Sequence, residues 1–264
     1  MKLPIYQVDA FAHQPFNGNP AAICPLDTWL DTALMQSIAE ENNLSETAFT
    51  IPTEAGYHIR WFTPLCEVDL CGHATLAAAH VITQHLGDNR HSIIFSSRSG
   101  ELRVNTNGSQ LTLNFPALDY SEIEPPQSLS LGLGKIPIST YAGDDYIAIF
   151  EREQDIVDLT PDVSILGRLD RRGVIATAPG NDVDFVSRFF APNAGISEDP
   201  VTGSAHCLLT PYWAHRLAKT KLTARQLSSR GGRLDCQLAE DRVLITGSAH
   251  TYLIGEIEIP GPSQ

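Results

Sequence analysis

Three residues have types and settings suited to moving a proton: Glu46, His73 and Asp199. Glu46 sits in LSETAF (44–49), where an acid opens an apolar run. Asp199 sits in SEDPVTG (197–203), just ahead of a small-residue helix start. Taken singly, each has a plain alternative: a strand-end glutamate on the surface, and a turn aspartate before proline. His73 follows Gly72 at a helix start. A positive helix end disfavours an imidazolium, so a neutral ring able to give or take a proton is expected there; a capping histidine is the alternative. Gly72-His73 and Gly203-Ser204 both open apolar helices. Glycine lets a ligand approach the backbone, and unpaired N–H groups at a helix start favour an anion. If the two starts face each other across a cleft between domains, they make a site for a small carboxylate-bearing ligand. The alternative is that both glycines serve tight turns.

Other chemistries find little support. Cys66 and Cys71 are spaced C-x4-C with no second pair to complete a zinc cage, so no metal is expected. No G-x-S-x-G, G-x-G-x-x-G or G-x-x-x-x-G-K-[ST] motif is present, which argues against a serine hydrolase, a dinucleotide fold and a P-loop. The net charge of −13, without a Lys/Arg cluster, repels phosphate backbones, so no nucleic-acid partner is expected. Pro4, Asp9 and His13 interrupt the N-terminal stretch, and no run approaches a membrane span. Five cysteines, an odd number, fit free thiols in a reducing compartment. The expectation is a cytoplasmic protein with no membrane partner.

The elements that must position these groups alternate strands and helices. Strands are expected over residues 3–11, 45–51, 58–62, 92–96, 102–105 and 110–115. FNGNP (16–20) reads as a turn. Helices are expected over 31–43 and 74–85, the second opened by CGH (71–73) and apolar nearly all round, hence buried. Residues 120–140, rich in Pro, Gly and Ser and containing Pro125-Pro126, read as a linker.

The second half echoes the first. RWFTP (60–64) returns as RFFAP (188–192), and each block is followed by an acidic loop and a helix start, CGHA (71–74) or TGSA (202–205). Two copies imply paired domains rather than a solenoid. The expected fold is α+β: two pseudo-symmetric domains, each a curled, mostly antiparallel sheet around a central helix. The domains are placed at 1–118 and 119–264, with the final strand free to pack on the first. The halves differ in one respect: GVIATA (173–178), which matches SETAF, carries no acid.

VDAF…FNGNPAA, NLSETAF, RWFTP…CGHAT and RFFAP…ISEDPVTGSAH, in this order, resemble the phenazine-biosynthesis PhzF-like isomerase family across nearly the whole chain. That family is similar in fold to diaminopimelate epimerase. The resemblance implies that Glu46 is the catalytic acid/base and that His73, Asp199 and Ser204 line the substrate pocket. It implies that Gly72 and Gly203 present backbone amides, and it adds Asn19 and Cys71 to the substrate-binding set. It also implies no organic cofactor or metal, and a homodimer. The related epimerases use two facing cysteines; here Cys71 holds the first position and Thr202 the second. A single base is therefore favoured over a two-thiol racemase. The expected function is a cofactor-independent isomerase moving a proton on a small carboxylate. An amino-acid racemase or epimerase and a non-catalytic metabolite-binding protein remain the alternatives.

Overall fold

The computed structural model describes residues 1–259. The chain divides into two units: Met1–Asn114 together with the chain from Thr246 on, and Phe115–Ile245. Among the described residues, no helix is long and apolar enough to cross a membrane.

In the first unit, β1 (Lys2–Ala10) and β2 (Asn19–Pro25) form an antiparallel pair. Gly18 makes their connection possible. Its φ is +72°, and a Cβ there would lie 2.2 Å from the Ala10 carbonyl oxygen. Only glycine accepts both conditions, and the result sets Asn19 opposite Ala10 at the head of β2. The expected turn at 16–20 therefore ends two residues early, because Asn19 and Pro20 already belong to the strand. Helix α1 (Thr32–Asn42) is capped by the Asp31 side chain, which accepts from the Ala33 N–H, and stops at Asn43 in the left-handed region. It leads into β3 (Glu46–Pro52), parallel to β2, followed by the antiparallel β4 (Tyr57–Phe62) and β5 (Glu67–Val68). Helix α2 (Gly72–Gln84) comes next, then β6 (Ser92–Ser97), parallel to β4, and the hairpin strands β7 (Gly100–Asn107) and β8 (Gln110–Pro116). Alanines at 74, 77, 78 and 79 are fully buried, and α2 packs on β1, β2, β3 and β7. Small side chains let backbones approach closely, which suits a helix enclosed by strands.

The second unit holds β9 (Ser121–Glu122), α3 (Gln127–Leu133), β10 (Ser139–Ala142) and β11 (Tyr146–Ile149). Short helices α4 (Glu153–Val157) and α5 (Val163–Leu166) lead to β12 (Val174–Pro179), parallel to β11. Antiparallel β13 (Phe185–Ala191) and β14 (Ile196–Asp199) precede α6 (Gly203–Leu217). Then come β15 (Lys221–Gln226), parallel to β13, the antiparallel β16 (Gly232–Ala239), and β17 (Arg242–Glu258). The order of pairings is that of the first unit. Pro211 lies inside α6 and has no N–H to offer the Cys207 carbonyl. The Leu118 N–H takes that carbonyl instead, at 3.1 Å, so the buried helix continues without an orphaned acceptor.

The units part at Asn114/Phe115, four residues before the expected boundary, and the chain from Thr246 belongs to the first unit, a placement the sequence reading left open for the final strand. The cause is β17, which pairs with β1 from Lys2↔Glu258 to Ala10↔Ala249 across nearly the whole sequence. The segment 120–140 is no linker. Pro126 caps α3, whose Leu129 and Leu133, four residues apart, are both fully buried in the second unit's core. The sheets also mix parallel and antiparallel pairings, because helices cross over between β2 and β3 and between β11 and β12.

Candidate active site

The first unit brings Asn19, Glu46, Cys71 and His73 together. Glu46 is the first residue of β3, level with Ala21 on the parallel β2. Asn19 heads β2, and Cys71 is the N-cap of α2. Parallel strands joined by a crossover begin at the same end, so the heads of β2 and β3 share one edge. His73 Nε2 lies 3.1 Å from Glu46 Oε2. His73 Nδ1 lies 3.3 Å from Asn19 Nδ2 and 3.5 Å from Cys71 Sγ. The Ser45 hydroxyl donates to Asn19 Oδ1 at 3.2 Å, which turns the amide N–H group toward Nδ1. In the neutral form of the ring, an N–H facing Nδ1 places the proton on Nε2, the nitrogen facing Glu46. His73 is 5% exposed and Glu46 9%.

The alignment across that 3.1 Å gap is not that of a hydrogen bond. Glu46 Oε2 and His73 Nε2 are both buried and both lack a hydrogen-bond partner among the described residues. Buried polar atoms without partners are costly and cluster at functional positions.

The expectation of a histidine with lowered proton affinity is overturned. Burial opposes the imidazolium, but Cys71 and Glu46 outweigh it, and the His73 pKa is raised well above its ordinary value. Burial, and then the Glu46 charge, push the Cys71 thiol up, so near neutral pH Glu46 is the partner that acts on the ring. Carboxylate, thiol and imidazole each bring one ligand atom within 4.8 Å of the others. Spacing arguments based on cysteine pairs do not see such a set.

The second unit assembles a different group at the head of α6. Thr202, the N-cap, donates its hydroxyl to Asp199 Oδ2 at 2.5 Å. Gln226, nearly fully buried, closes the loop. Its Nε2 donates to Thr202 Oγ1 at 3.1 Å and to the Asp199 carbonyl at 2.7 Å, and its Oε1 accepts from the Thr202 N–H at 2.9 Å. The His206 Nδ1 N–H donates to the Thr202 carbonyl at 2.7 Å. Ser204 Oγ accepts from Arg172 Nη2 at 3.0 Å, and Arg172 is itself held by the fully buried Asp145 at 3.0 and 2.5 Å. Gly203 is buried beneath Ser204 at the helix start.

Sequence reasoning missed Ser45, Gln226, Arg172 and Asp145. Ser45 adjoins a flagged motif. The other three lie in segments without pattern, and only the fold brings them to a helix start.

A buried imidazole–carboxylate pair thus stands at the head of α2, and a hydroxyl–carboxylate pair at the head of α6. Residues 8–255 match the PhzC-PhzF family, described as phenazine biosynthesis-like protein, and the chain belongs to that family. It is 50% identical to an uncharacterized isomerase of Pseudomonas aeruginosa over 259 residues, covering 98% of this chain and 100% of the relative. It is similar to the crystal structure of a PhzF-family phenazine biosynthesis protein from Enterococcus faecalis, with TM-score 0.96 and 46% identity, covering 98% of this chain and 100% of that one. A hydroxyproline epimerase of Agrobacterium vitis, at 10% identity, shares the fold alone, with TM-score 0.64 over 99% of this chain and 94% of that one.

Proposed function

We propose that the protein is an isomerase that moves a proton on a small carboxylate-bearing metabolite, with Glu46 as the single base. The observation that carries this reading is the buried pair of Glu46 Oε2 and His73 Nε2, 3.1 Å apart. The relatives named isomerase support it. The Glu46 carboxylate takes the proton from a carbon next to the substrate carboxylate or an unsaturated system, then returns it to a different carbon or face. His73 Nε2–H orients the carboxylate and holds its charge before transfer. The developing carbanion is stabilised by the first N–H groups of α2 at Gly72. By the family resemblance, Asp199, Gly203 and Ser204 are assigned to substrate binding. The reaction draws on side chains and backbone alone, and the working form is a homodimer in the cytoplasm.

Two observations favour this reading over a two-thiol racemase. The Cys71 thiol is pushed up by burial, and the Thr202 hydroxyl is committed to Asp199. A metabolite-binding protein without turnover is the other competitor, and one experiment separates the two. Small carboxylated metabolites are screened for deuterium uptake from D2O by mass spectrometry, with wild type and Glu46→Gln. Wild type should exchange a carbon-bound proton on its substrate. Glu46→Gln should still bind, with turnover lower by about 10²–10⁴-fold or more, since it removes the base while keeping shape. Binding without exchange in the wild type would overturn the reading.

A further inference from the structure

We propose that Arg172 is a positioning residue: clamped by Asp145, it fixes the Ser204 hydroxyl as a hydrogen-bond donor, which selects a carboxylate oxygen of the substrate and rejects an ammonium group. The direction of one hydrogen bond carries this. A guanidinium only donates, so the 3.0 Å contact from Arg172 Nη2 obliges Ser204 Oγ to accept. The single Ser204 proton is thereby left for a group other than Arg172. A hydroxyl without such a partner accepts as readily as it donates. The guanidinium is itself held from two sides, so it sets the hydroxyl and not the reverse. Its Nε and Nη2 fork onto Asp145 Oδ1 and Oδ2 at 3.0 and 2.5 Å. Asp145 is fully buried and matches the charge, so the pair presents a directed N–H rather than a free cation. The guanidinium carbon also lies 5.4 Å from the centre of the Phe189 ring. Gly173 makes room for that ring, since a Cβ there would lie 2.6 Å from Phe189 Cζ.

The repeat supplies an independent observation. In the first unit Asn19 and Glu46 head the parallel strands β2 and β3, and both face His73, the second residue of α2. In the second unit the corresponding parallel strands are β11 and β12, with Tyr146 level with Val174 and the Tyr146 N–H donating to the Gly173 carbonyl at 3.0 Å. Asp145 and Arg172 stand just ahead of these two strands, and Arg172 faces Ser204, the second residue of α6. The places that carry the proposed base and its partner in one unit therefore carry a fixed donor relay in the other. This inference deepens the isomerase reading and rests on its assignment of Ser204 to the substrate.

The test reads KM against kcat for the substrate found by deuterium exchange. In parallel it follows the Ser204 amide resonance of the full chain under decimolar acetate, a carboxylate small enough to enter the site. Ser204→Ala removes the hydroxyl. Arg172→Lys keeps a cation beside Asp145 but lacks the fork that spans Asp145 and Ser204. Each should raise KM about tenfold or more, the loss of one hydrogen bond to a charged group, with kcat changed far less. Combined, they should do no more than Ser204→Ala alone, because Arg172 acts through that hydroxyl. Acetate should shift the wild-type Ser204 amide, whereas acetamide at the same concentration and chloride at the same ionic strength should not. Arg172→Lys should lose most of the shift. Melting curves check the fold. If Arg172→Lys melts early, the neutral pair Asp145→Asn with Arg172→Gln, too short to reach Ser204, replaces it with the same expectation. Losses that multiply, or a fall in kcat in place of the rise in KM, overturn the proposal. Glu46-dependent exchange with wild-type KM and acetate shift in Arg172→Lys sinks it and leaves the isomerase reading standing. An Arg172-dependent acetate shift with no exchange on any metabolite does the reverse.

Discussion

The heads of α2 and α6 rest on closely similar supports and carry different chemistry. Behind α2, Arg60 grips Glu67 through two hydrogen bonds of 2.7 and 2.8 Å and lies 5.2 Å from the Phe62 ring. Behind α6, Arg188 grips Glu198 at 2.7 and 2.9 Å and lies 5.0 Å from the Phe190 ring. Both arginines sit on a strand with two antiparallel partners and one parallel partner, and each strand is followed by a short strand and a buried helix. At the helix starts the likeness ends. One has an imidazole facing an unsatisfied carboxylate; the other has a hydroxyl already committed to a carboxylate and locked by Gln226. On these similar supports the side chains at the two helix ends differ, and the proposed division of labour rests on that difference. An atom left unsatisfied at a cost in stability is free to react, and one whose bonds are complete is suited to holding a substrate.

The largest expected effect tests that division directly. Asp199→Asn should lower turnover by up to about 10²-fold through misplacement of the substrate, well short of the loss from Glu46→Gln. Steady-state rates and deuterium exchange on the two variants check this; equal losses would mean that both halves carry the proton. Next is the framework. Arg188→Met strands Glu198 and releases the carbonyls of Ile156 and Leu159, to which Arg188 also donates. Breaking a largely buried pair in this way should cost about 3 kcal/mol. Arg60→Met should cost less, about 1–2 kcal/mol, because Arg98 still reaches Glu67 at 2.8 Å. Urea unfolding of both variants measures the difference, and identical losses would show that the Arg98 contact and the two carbonyls contribute nothing.

Acid stability comes third. Burial holds the His206 pKa down to about 4, and His80 on α2 is lowered to about 4 by burial and by His85 and His250. A histidine kept neutral when folded contributes its full stability above its ordinary pKa of about 6.5. It loses that stability as pH falls from there toward about 4, on the order of 3 kcal/mol per residue. Melting temperature should therefore drop between pH 7 and pH 5, and the slope should be shallower in His206→Gln. An unchanged slope would show that α6 is not the acid-sensitive helix. The smallest effect belongs to Cys71→Ala, which removes one weak contact to His73. Turnover should fall by less than about tenfold. A loss as large as that of Glu46→Gln would bring back the two-thiol reading.

The site motifs were largely legible in the chain itself. Glu46 opening an apolar run, His73 after glycine, and Asp199 before Pro-Val-Thr-Gly are local patterns, and local patterns survive without a fold. The repeated Arg blocks were legible for the same reason, since each is contiguous. So were α1 and α2, whose caps and apolar stretches are matters of neighbouring residues. Three things were decided only by tertiary structure. The unit boundary depends on β17 pairing with β1 over more than two hundred residues, and no local signal encodes a partner that far away. The direction of the His73 pKa shift is set against burial, which Cys71 and, 27 positions earlier in the chain and 3.1 Å away, Glu46 together outweigh. Gln226 depends on β15 running parallel to β13, which carries an unremarkable glutamine to the loop between Asp199 and Thr202. Capping, turns and apolar periodicity act between near neighbours and can be read along the chain, whereas charge interactions and strand pairing act through space and exist only once distant segments have met.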